Sequence, residues 1–361
     1  MHILFVDPIP IAKPYDNDRL LMSAMGGTEA TVVRIASKLS ETHRISVAQY
    51  RRQHDKCESS TLSFISFKTM ERMPPESVDR VVILRRFRTV PKLAKRFPSA
   101  RIYLWVHDFP LKTRTRKRKQ TFQSIMLNAD CTLIAVSGHQ RDVYKSFLSD
   151  PRIKTVIMYN PVAETLRPND QPITPNQLIF YSSPHKGLNQ VLTLFQAAKE
   201  RLPDLSLLIA NPGYFRIRAD SKAGLWLRKC LHRFIWDGDP SVAEHYLNQP
   251  GVKVVGRLSH QQIIQEVRRS VCVFYPQSTF PETFGLVYAE ANAVGTPVLA
   301  HDFGAASEVL GKESDQLVDA NDPEAVIKKL EKWVAGNRPQ VTLNETFRQS
   351  TVVSKWLELL A

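Results

Sequence analysis

Short apolar runs alternate with longer stretches of helical periodicity along most of the chain. Apolar runs flanked by Gly, Pro and polar residues are typical of buried parallel strands, and the stretches between them are typical of the connecting helices. The pattern therefore predicts an α/β fold built on parallel sheets. The predicted strands are residues 2–7, 42–48, 79–84, 101–106, 131–136, 155–159, 177–181, 205–210, 252–255, 271–275 and 298–300, and the clearest predicted helices are 27–39, 284–294, 323–334 and 347–360.

Residues 161–175 interrupt this alternation. The segment contains four prolines and few apolar residues, and it has no regular period. Because such segments are typical of exposed linkers, a domain boundary is predicted there. A chain of 361 residues is also long enough for two domains.

Composition and charge narrow the class of protein. The chain is 43% hydrophobic and 23% charged, as expected for a soluble globular protein, and no apolar run approaches the ~18–20 residues needed to cross a membrane. The N-terminus lacks the basic and apolar regions of a signal peptide. Four dispersed cysteines argue against a zinc knuckle or a disulfide framework and fit a reducing cytoplasm. The net charge of +14 implies an anionic partner, namely nucleic acid, a membrane surface or a phosphorylated substrate.

The segment from Thr279 to Leu310 carries the most specific pattern. Pro281, Glu282 and Thr283 break the chain after a predicted strand, and Thr283 is the predicted N-cap of a helix that begins at Phe284. The free N–H groups of Phe284, Gly285 and Leu286 would form an anion site suited to a diphosphate. Glu290, inside this apolar helix, needs a donor partner, either a sugar or ribose hydroxyl or a neighbouring Arg or Lys.

Three further positions carry candidate chemistry. Gly26 and Gly27 open a helix after the first strand, which indicates either turn chemistry or a ligand loop; without a G-x-G-x-x-G fingerprint, NAD binding is not expected. His107 follows a predicted strand, where a histidine is structural about as often as functional. Lys186 precedes a glycine that opens a helix, so this lysine could either bind a phosphate or lie in a solvated turn.

Several of these residues together resemble the signature of retaining glycosyltransferase family 4, as found in bacteria. The resemblance rests on Glu282, Phe284, Gly285 and Glu290, on the run Gly295–Val298, and on Gly304, Ala305 and Glu308. It implies the GT-B fold, in which two Rossmann-like, doubly wound domains face a central cleft and the C-terminal helix crosses back to the N-terminal domain. The expected domains are residues 1–165 with 345–361, and residues 166–344.

The resemblance also implies roles for individual residues. Glu282 would hold the donor sugar and Glu290 the nucleotide ribose. Lys186 and the backbone of residues 284–286 would hold the diphosphate. His107 would contact the donor sugar, Gly26 and Gly27 would line the donor phosphate and acceptor region, and the segment around Arg257 would bind the base. The implied catalytic residues are His107 and Glu282; the implied donor-binding residues are Gly26, Gly27, Lys186, Arg257, Thr283, Phe284, Gly285, Leu286 and Glu290. The family's phosphate-loop arginine is replaced here by Tyr181 or Ser182.

The implied activity is retaining transfer of a hexosyl group from a nucleotide-sugar, with UDP-sugar preferred, to an acceptor hydroxyl. Front-face attack with the departing phosphate as base would need no metal and no cofactor. Family frequency suggests envelope polysaccharide or glycolipid synthesis. The alternatives are another GT-B enzyme, such as a nucleotide-sugar epimerase, or a basic non-catalytic binding protein. Asp237 and Asp239 spell D-x-D but lie in a turn-like D-G-D-P context, so a turn is predicted rather than a metal site.

The densest positive charge, here called the basic patch, consists of Arg114, Arg116, Lys117, Arg118 and Lys119. It suits an anionic membrane surface or a phosphate-bearing, lipid-linked glycan acceptor, and a solvated surface would read the same. Nucleic-acid binding is not expected, because the run has no interleaved aromatic residues. The expected location is the cytoplasm, with peripheral attachment to the inner membrane face as an open alternative. The segment 225–236 is compatible with an interfacial helix or a core-facing one.

Overall fold

The computed structural model describes residues 1–10, 12–22, 25–110, 116–211 and 248–361. The chain divides into two units. The N-terminal unit comprises Met1–Leu20, Gly27–Glu164 and Glu345–Ala361, and the C-terminal unit comprises Leu21–Gly26 and Thr165–Asn344. Predicted features at 225–236 and 237–239, and the basic-patch residue Arg114, lie outside the described residues.

An eight-stranded sheet forms the centre of the N-terminal unit. Its strands are β1 (His2–Asp7), β2 (Arg44–Gln49), β3 (Lys56–Cys57), β4 (Leu62–Ser66), β5 (Arg80–Leu84), β6 (Arg101–Trp105), β7 (Thr132–Ala135) and β8 (Thr155–Ile157). They lie in the order β3-β4-β2-β1-β5-β6-β7-β8, parallel except for β3. Without β3 this is the order of a Rossmann fold, and the chain reverses direction across the sheet between β1 and β5.

Helices cover this sheet and shield its apolar strands. They are α1 (Asn17–Met22), α2 (Gly27–Leu39), α3 (Phe67–Arg72), α4 (Val90–Arg96), α5 (Arg116–Asn128) and α6 (Gly138–Leu148). The buried residues of α2 include Ala30, Val33, Ile35 and Leu39. Ser137 caps α6 by accepting a hydrogen bond from the Gln140 amide.

The C-terminal unit is built on a five-stranded parallel sheet. Its strands are β9 (Gln177–Phe180), β10 (Ser206–Asn211), β11 (Val252–Arg257), β12 (Cys272–Tyr275) and β13 (Val298–Ala300), in the order β11-β10-β9-β12-β13. The described helices are α7 (Leu188–Arg201), α8 (His260–Arg269), α9 (Leu286–Ala293), α10 (Ala306–Leu310) and α11 (Pro323–Val334). This order also reverses direction, here between β9 and β12.

The C-terminal helix, α12 (Gln349–Leu360), belongs to the N-terminal unit. Its Trp356 is fully buried against Phe5 of β1 and Trp105 of β6, with ring centroids 6.0 and 4.8 Å away. Aromatic pairs at these distances add stabilisation beyond their buried area. The implied return of the last helix to the N-terminal half is thus observed, and it packs behind the strand that leads to His107.

Most predicted strands and helices are present, with ends that differ by one or two residues. The antiparallel strand β3 and its neighbour β4 were missed, because polar serines and threonines interrupt the apolar pattern there. Among the described residues, no helix combines the length and hydropathy required to cross a bilayer.

Candidate functional site

Two polar loops meet where the sheet of the C-terminal unit changes direction. Lys186 follows β9 and Glu282 follows β12, and these strands are neighbours. Ligands of open α/β sheets bind outside the carboxyl ends of the strands at such a switch point. Residues 96 positions apart in sequence are therefore brought together at the expected place for a ligand.

Glu282 is the most constrained carboxylate of this site. Its side chain is 5% exposed, and Lys186 Nζ lies 2.9 Å from Oε1 and 2.8 Å from Oε2. The Tyr275 hydroxyl donates a 2.8 Å hydrogen bond to Oε1. Burial, and then the Glu282 charge, raise the pKa of Tyr275 well above its ordinary value, so the phenol keeps the proton that it donates.

The loops that carry these two groups are fixed by a glutamine. Gln277 Oε1 accepts hydrogen bonds from the amides of Thr279 and Phe280, at 3.0 and 2.8 Å, while its Nε2 donates to the Phe280 carbonyl. The Phe280 ring in turn lies 5.3 Å from Lys186 Nζ. These contacts hold the Lys186 ammonium and the Glu282 segment in one arrangement.

Helix α9 begins later than its sequence predicts. Thr283 is not the N-cap; Gly285 is, with φ of +88°, and the helix starts at Leu286. The left-handed backbone favours glycine, and a β-carbon at this position would collide with the Tyr288 ring. Among the described residues, the amides of Leu286 and Val287 have no hydrogen-bond acceptor. The free amides at this helix start therefore lie further toward the C-terminus than the sequence pattern suggests.

Glu290 lies inside α9, where it is 6% exposed. Its Oε1 contacts His260 Nε2 at 3.0 Å, a partner that the sequence did not indicate. His260 opens α8 behind a capping box formed by Ser259 and Gln262, a motif that the sequence displays. The Tyr181 hydroxyl donates a 2.6 Å bond to the Val287 carbonyl, so this replacement for the family's arginine serves the helix backbone.

A second group of charged residues lies in the N-terminal unit, at the carboxyl ends of β1, β5 and β6. His107 is 7% exposed and its ring lies 4.6 Å from that of Trp105. Burial, assisted by the charge of Arg85, holds the pKa of His107 well below its ordinary value of 6.5, so the imidazole is neutral at neutral pH. Arg85, in a left-handed conformation, lies 3.7 Å from Glu29 and 4.0 Å from Asp108.

Asp7 completes this group. The Tyr15 hydroxyl donates a 3.0 Å hydrogen bond to Asp7 Oδ2, and the Ile9 amide donates to Oδ1. Burial raises the pKa of Asp7, Arg85 opposes the change, and Glu29 adds to it. Gly27 is the first residue of α2, and the buried Gly26 precedes it. Gly26 and Gly27 are assigned to different units.

The basic patch lies at the start of α5. Arg116 and Lys117 are exposed, and Lys119 donates to the Ser149 hydroxyl. The Arg118 guanidinium lies 5.8 Å from the centroid of Phe87, which follows β5. Burial, together with the charges of the nearby Arg88 and Arg86, lowers the pKa of Arg118. Arg85 instead faces the acidic group described above.

The structure thus gathers Lys186, Glu282 and the α9 start at one sheet edge, with Glu290 further along that helix. Of Arg257 only the backbone is described, as the last residue of β11. Sequence reasoning missed Tyr275, Gln277, His260, Asp7 and Tyr15; only the capping box before His260 gave a readable signal. No trio of His, Cys, Asp or Glu side chains close enough to hold a metal occurs in the described part of the chain.

Two parallel α/β sheets of Rossmann order define the class of protein, and solved structures share this fold. Anabaena Alr3699/HepE in complex with UDP and glucose matches with a TM-score of 0.68 and 15% identity, over 100% of this chain and 99% of the other. A glycosyltransferase from Rickettsia africae gives 0.66 and 16%, over 99% and 97%. The trehalose-6-phosphate synthase OtsA gives 0.64 and 13%, over 100% and 94%. The chain therefore has the two-domain GT-B fold.

The family follows from the sequence match. Residues 164–350, more than half of the chain, match the family model "Glycosyl transferases group 1", and the chain belongs to that family. A curated relative, the D-inositol 3-phosphate glycosyltransferase of Corynebacterium urealyticum, is 24% identical over 249 residues. That match covers 65% of this chain and 55% of the relative, so the chain spans about half the length of the relative.

Proposed function

We propose that this protein is a retaining, metal-independent glycosyltransferase of family 4 that transfers a hexosyl group from a UDP-sugar to an acceptor hydroxyl. The observation that carries the proposal is the buried Glu282, paired with Lys186 at the switch point of the C-terminal sheet. The buried carboxylate can accept hydrogen bonds from sugar hydroxyls. The neighbouring cation and the free helix amides can donate to a diphosphate.

In this proposal the groups of the C-terminal unit divide the donor between them. Lys186 and the amides of Leu286 and Val287 take the diphosphate, Glu282 takes sugar hydroxyls, and Glu290 takes ribose hydroxyls. As the bond between the anomeric carbon and the diphosphate oxygen breaks, the cation and the helix start stabilise the charge that develops on the leaving group. The acceptor oxygen bonds to the same face of the sugar, and its proton passes to the departing phosphate.

On the acceptor side the proposal draws on the N-terminal unit. The family resemblance assigns His107 to the donor sugar, and its neutral imidazole can accept or donate a hydrogen bond. The basic patch would bind an anionic membrane surface or a phosphate-bearing, lipid-linked acceptor in envelope polysaccharide or glycolipid synthesis. The name of the relative also specifies a phosphorylated acceptor. The enzyme would then work in the cytoplasm at the inner membrane face.

The first test is a thermal-shift screen against UDP, GDP, ADP and TDP without added metal, on the wild type and on Glu290→Ala. A nucleotide present at 100 to 1,000 times its dissociation constant should stabilise the wild type by about 3–4 kcal/mol. Glu290→Ala should lose that shift, because the ribose loses its carboxylate acceptor. A matched control is Glu331→Ala, which removes a carboxylate on α11 that pairs with Arg201.

A second experiment tests whether the nucleotide-binding protein also cleaves the nucleotide-sugar. Incubation with the matching nucleotide-sugar should release nucleoside diphosphate in the wild type and not in Glu282→Gln, whose amide cannot pair with Lys186 in the same way. No shift with any of the four nucleotides would sink the proposal. Conversion of the donor sugar to its epimer, without release of the diphosphate, would assign an epimerase instead.

A further inference from the structure

We infer that Tyr275 is a positioning residue that fixes the Glu282 carboxylate for the donor sugar when Lys186 leaves it for the diphosphate. The inference rests on the proposed function and deepens it, since it names a residue that helps to recognise the sugar part of the donor. Tyr275 is the last residue of β12, and it was not among the sequence-predicted site residues.

The two opposite charges of the site neutralise each other. Lys186 Nζ contacts both oxygens of Glu282, and the Tyr275 hydroxyl adds a third hydrogen bond, to Oε1. A diphosphate competes for the same ammonium. Lys186 is 26% exposed and sits on a flexible stem, so it can turn toward the phosphate.

Glu282 cannot follow the lysine. Its carbonyl accepts a 3.0 Å hydrogen bond from the Ala305 amide, and its backbone bridges to Gly304. A β-carbon at Gly304 would strike this backbone, so the two segments are in close contact. When Lys186 turns away, a carboxylate with 5% of its side chain exposed is left without its cation. Such a group is costly unless other donors replace the lost ones.

The Tyr275 hydroxyl is the donor that stays. The side chain is 1% exposed, and its ring lies between those of Phe180 and Tyr288, with centroids 5.5 and 5.7 Å away. When Lys186 turns away it releases both oxygens, and Oε1 keeps the Tyr275 hydroxyl while Oε2 is left to accept from a sugar hydroxyl. A bound nucleoside diphosphate without a sugar leaves room for water at that oxygen, so the tyrosine matters most when the sugar is present.

The test compares two ligands on two variants by isothermal titration. The probes are UDP, GDP, ADP and TDP and the corresponding nucleoside diphosphate glucoses. For the nucleotide that binds, the measured quantity is the dissociation constant of the nucleotide-glucose divided by that of the nucleoside diphosphate. Tyr275→Phe keeps the ring and should weaken the nucleotide-sugar about ten-fold or more, as expected for a lost hydrogen bond to a charged group. Binding of the diphosphate alone should change less than about three-fold.

Tyr103→Phe is the matched control. It removes the hydroxyl of another buried tyrosine, one on β6 that donates to the Leu359 carbonyl and not to a carboxylate. Its ratio should equal that of the wild type. An unchanged ratio in Tyr275→Phe, or an equal change in Tyr103→Phe, overturns the inference while leaving the proposed function intact. A wild type that binds none of the ligands overturns both.

Discussion

At the scale of single residues, burial decides the chemistry of His107. Its ring packs on Trp105 and faces the positive charge of Arg85, and both conditions disfavour the protonated imidazole. A sequence cannot show this, because the same His-Asp dipeptide on an exposed loop would titrate in the ordinary range. The tertiary contact therefore sets which form of the residue the protein presents.

A pH dependence of stability follows from the lowered pKa. Between the unfolded value near 6.5 and the lower folded value, the unfolded chain binds a proton that the folded chain does not. The contribution of His107 to the free energy of unfolding is therefore fully present above pH 6.5 and decreases as the pH falls below it. The difference in unfolding free energy between the wild type and His107→Gln should be larger at pH 7.5 than at pH 5, by up to about 2 kcal/mol.

Urea unfolding of both proteins at the two pH values measures this difference. Groups that are common to both proteins, such as Asp7 and His2, cancel in the comparison. A difference that is the same at pH 7.5 and pH 5 would contradict a neutral, buried His107.

At the scale of elements, the start of α9 depends on one glycine. The sequence pattern P-E-T-F-G suggests Thr283 as the cap, yet the chain enters the helix through the left-handed Gly285. The Tyr288 ring occupies the space that a β-carbon at position 285 would need. The helix start, with its free amides, is thus set by packing between two residues of the same turn.

Gly285→Ala tests this dependence, and Gly336→Ala is its control. Both glycines have a φ near +90°, but nothing lies within 4 Å of a β-carbon at Gly336. The backbone cost of about 1–2 kcal/mol should appear in both variants, while the collision with Tyr288 adds to it only in Gly285→Ala. Affinity for the nucleoside diphosphate should fall several-fold in Gly285→Ala and stay unchanged in Gly336→Ala. Equal losses of stability would show that the Tyr288 contact does not constrain the helix start.

At the scale of the whole molecule, some positive charges are paired with carboxylates and others are not. Many cations of the described chain pair with carboxylates, such as Arg201 with Glu324 and Lys154 with Asp130. Arg116, Lys117 and Arg118 of the basic patch, and their neighbours Arg86 and Arg88, have no carboxylate partner among the described residues. An anionic surface would offset their mutual repulsion, which is the physical basis of the proposed membrane or lipid-linked acceptor.

Charge reversal tests the patch. Arg116→Glu with Lys117→Glu should weaken binding to vesicles containing phosphatidylglycerol by ten-fold or more, at about 1 kcal/mol for each basic residue near the surface. Lys312→Glu with Lys328→Glu changes the net charge equally on exposed positions of the C-terminal unit. Co-sedimentation at low salt measures both. If the two double variants bind vesicles equally well, net charge alone drives binding and the patch has no special role.

The sequence by itself determined the α/β class, most strands and the segment carrying Glu282 and Glu290. These follow from local rules: apolar runs, proline and glycine punctuation, and a family signature within one stretch of chain. The tertiary structure alone decided that Lys186 and Tyr275 meet Glu282, that His260 meets Glu290, and that α9 starts at Leu286. Such contacts join residues from separate strands and loops, and their geometry depends on sheet order and side-chain packing, which no local pattern encodes.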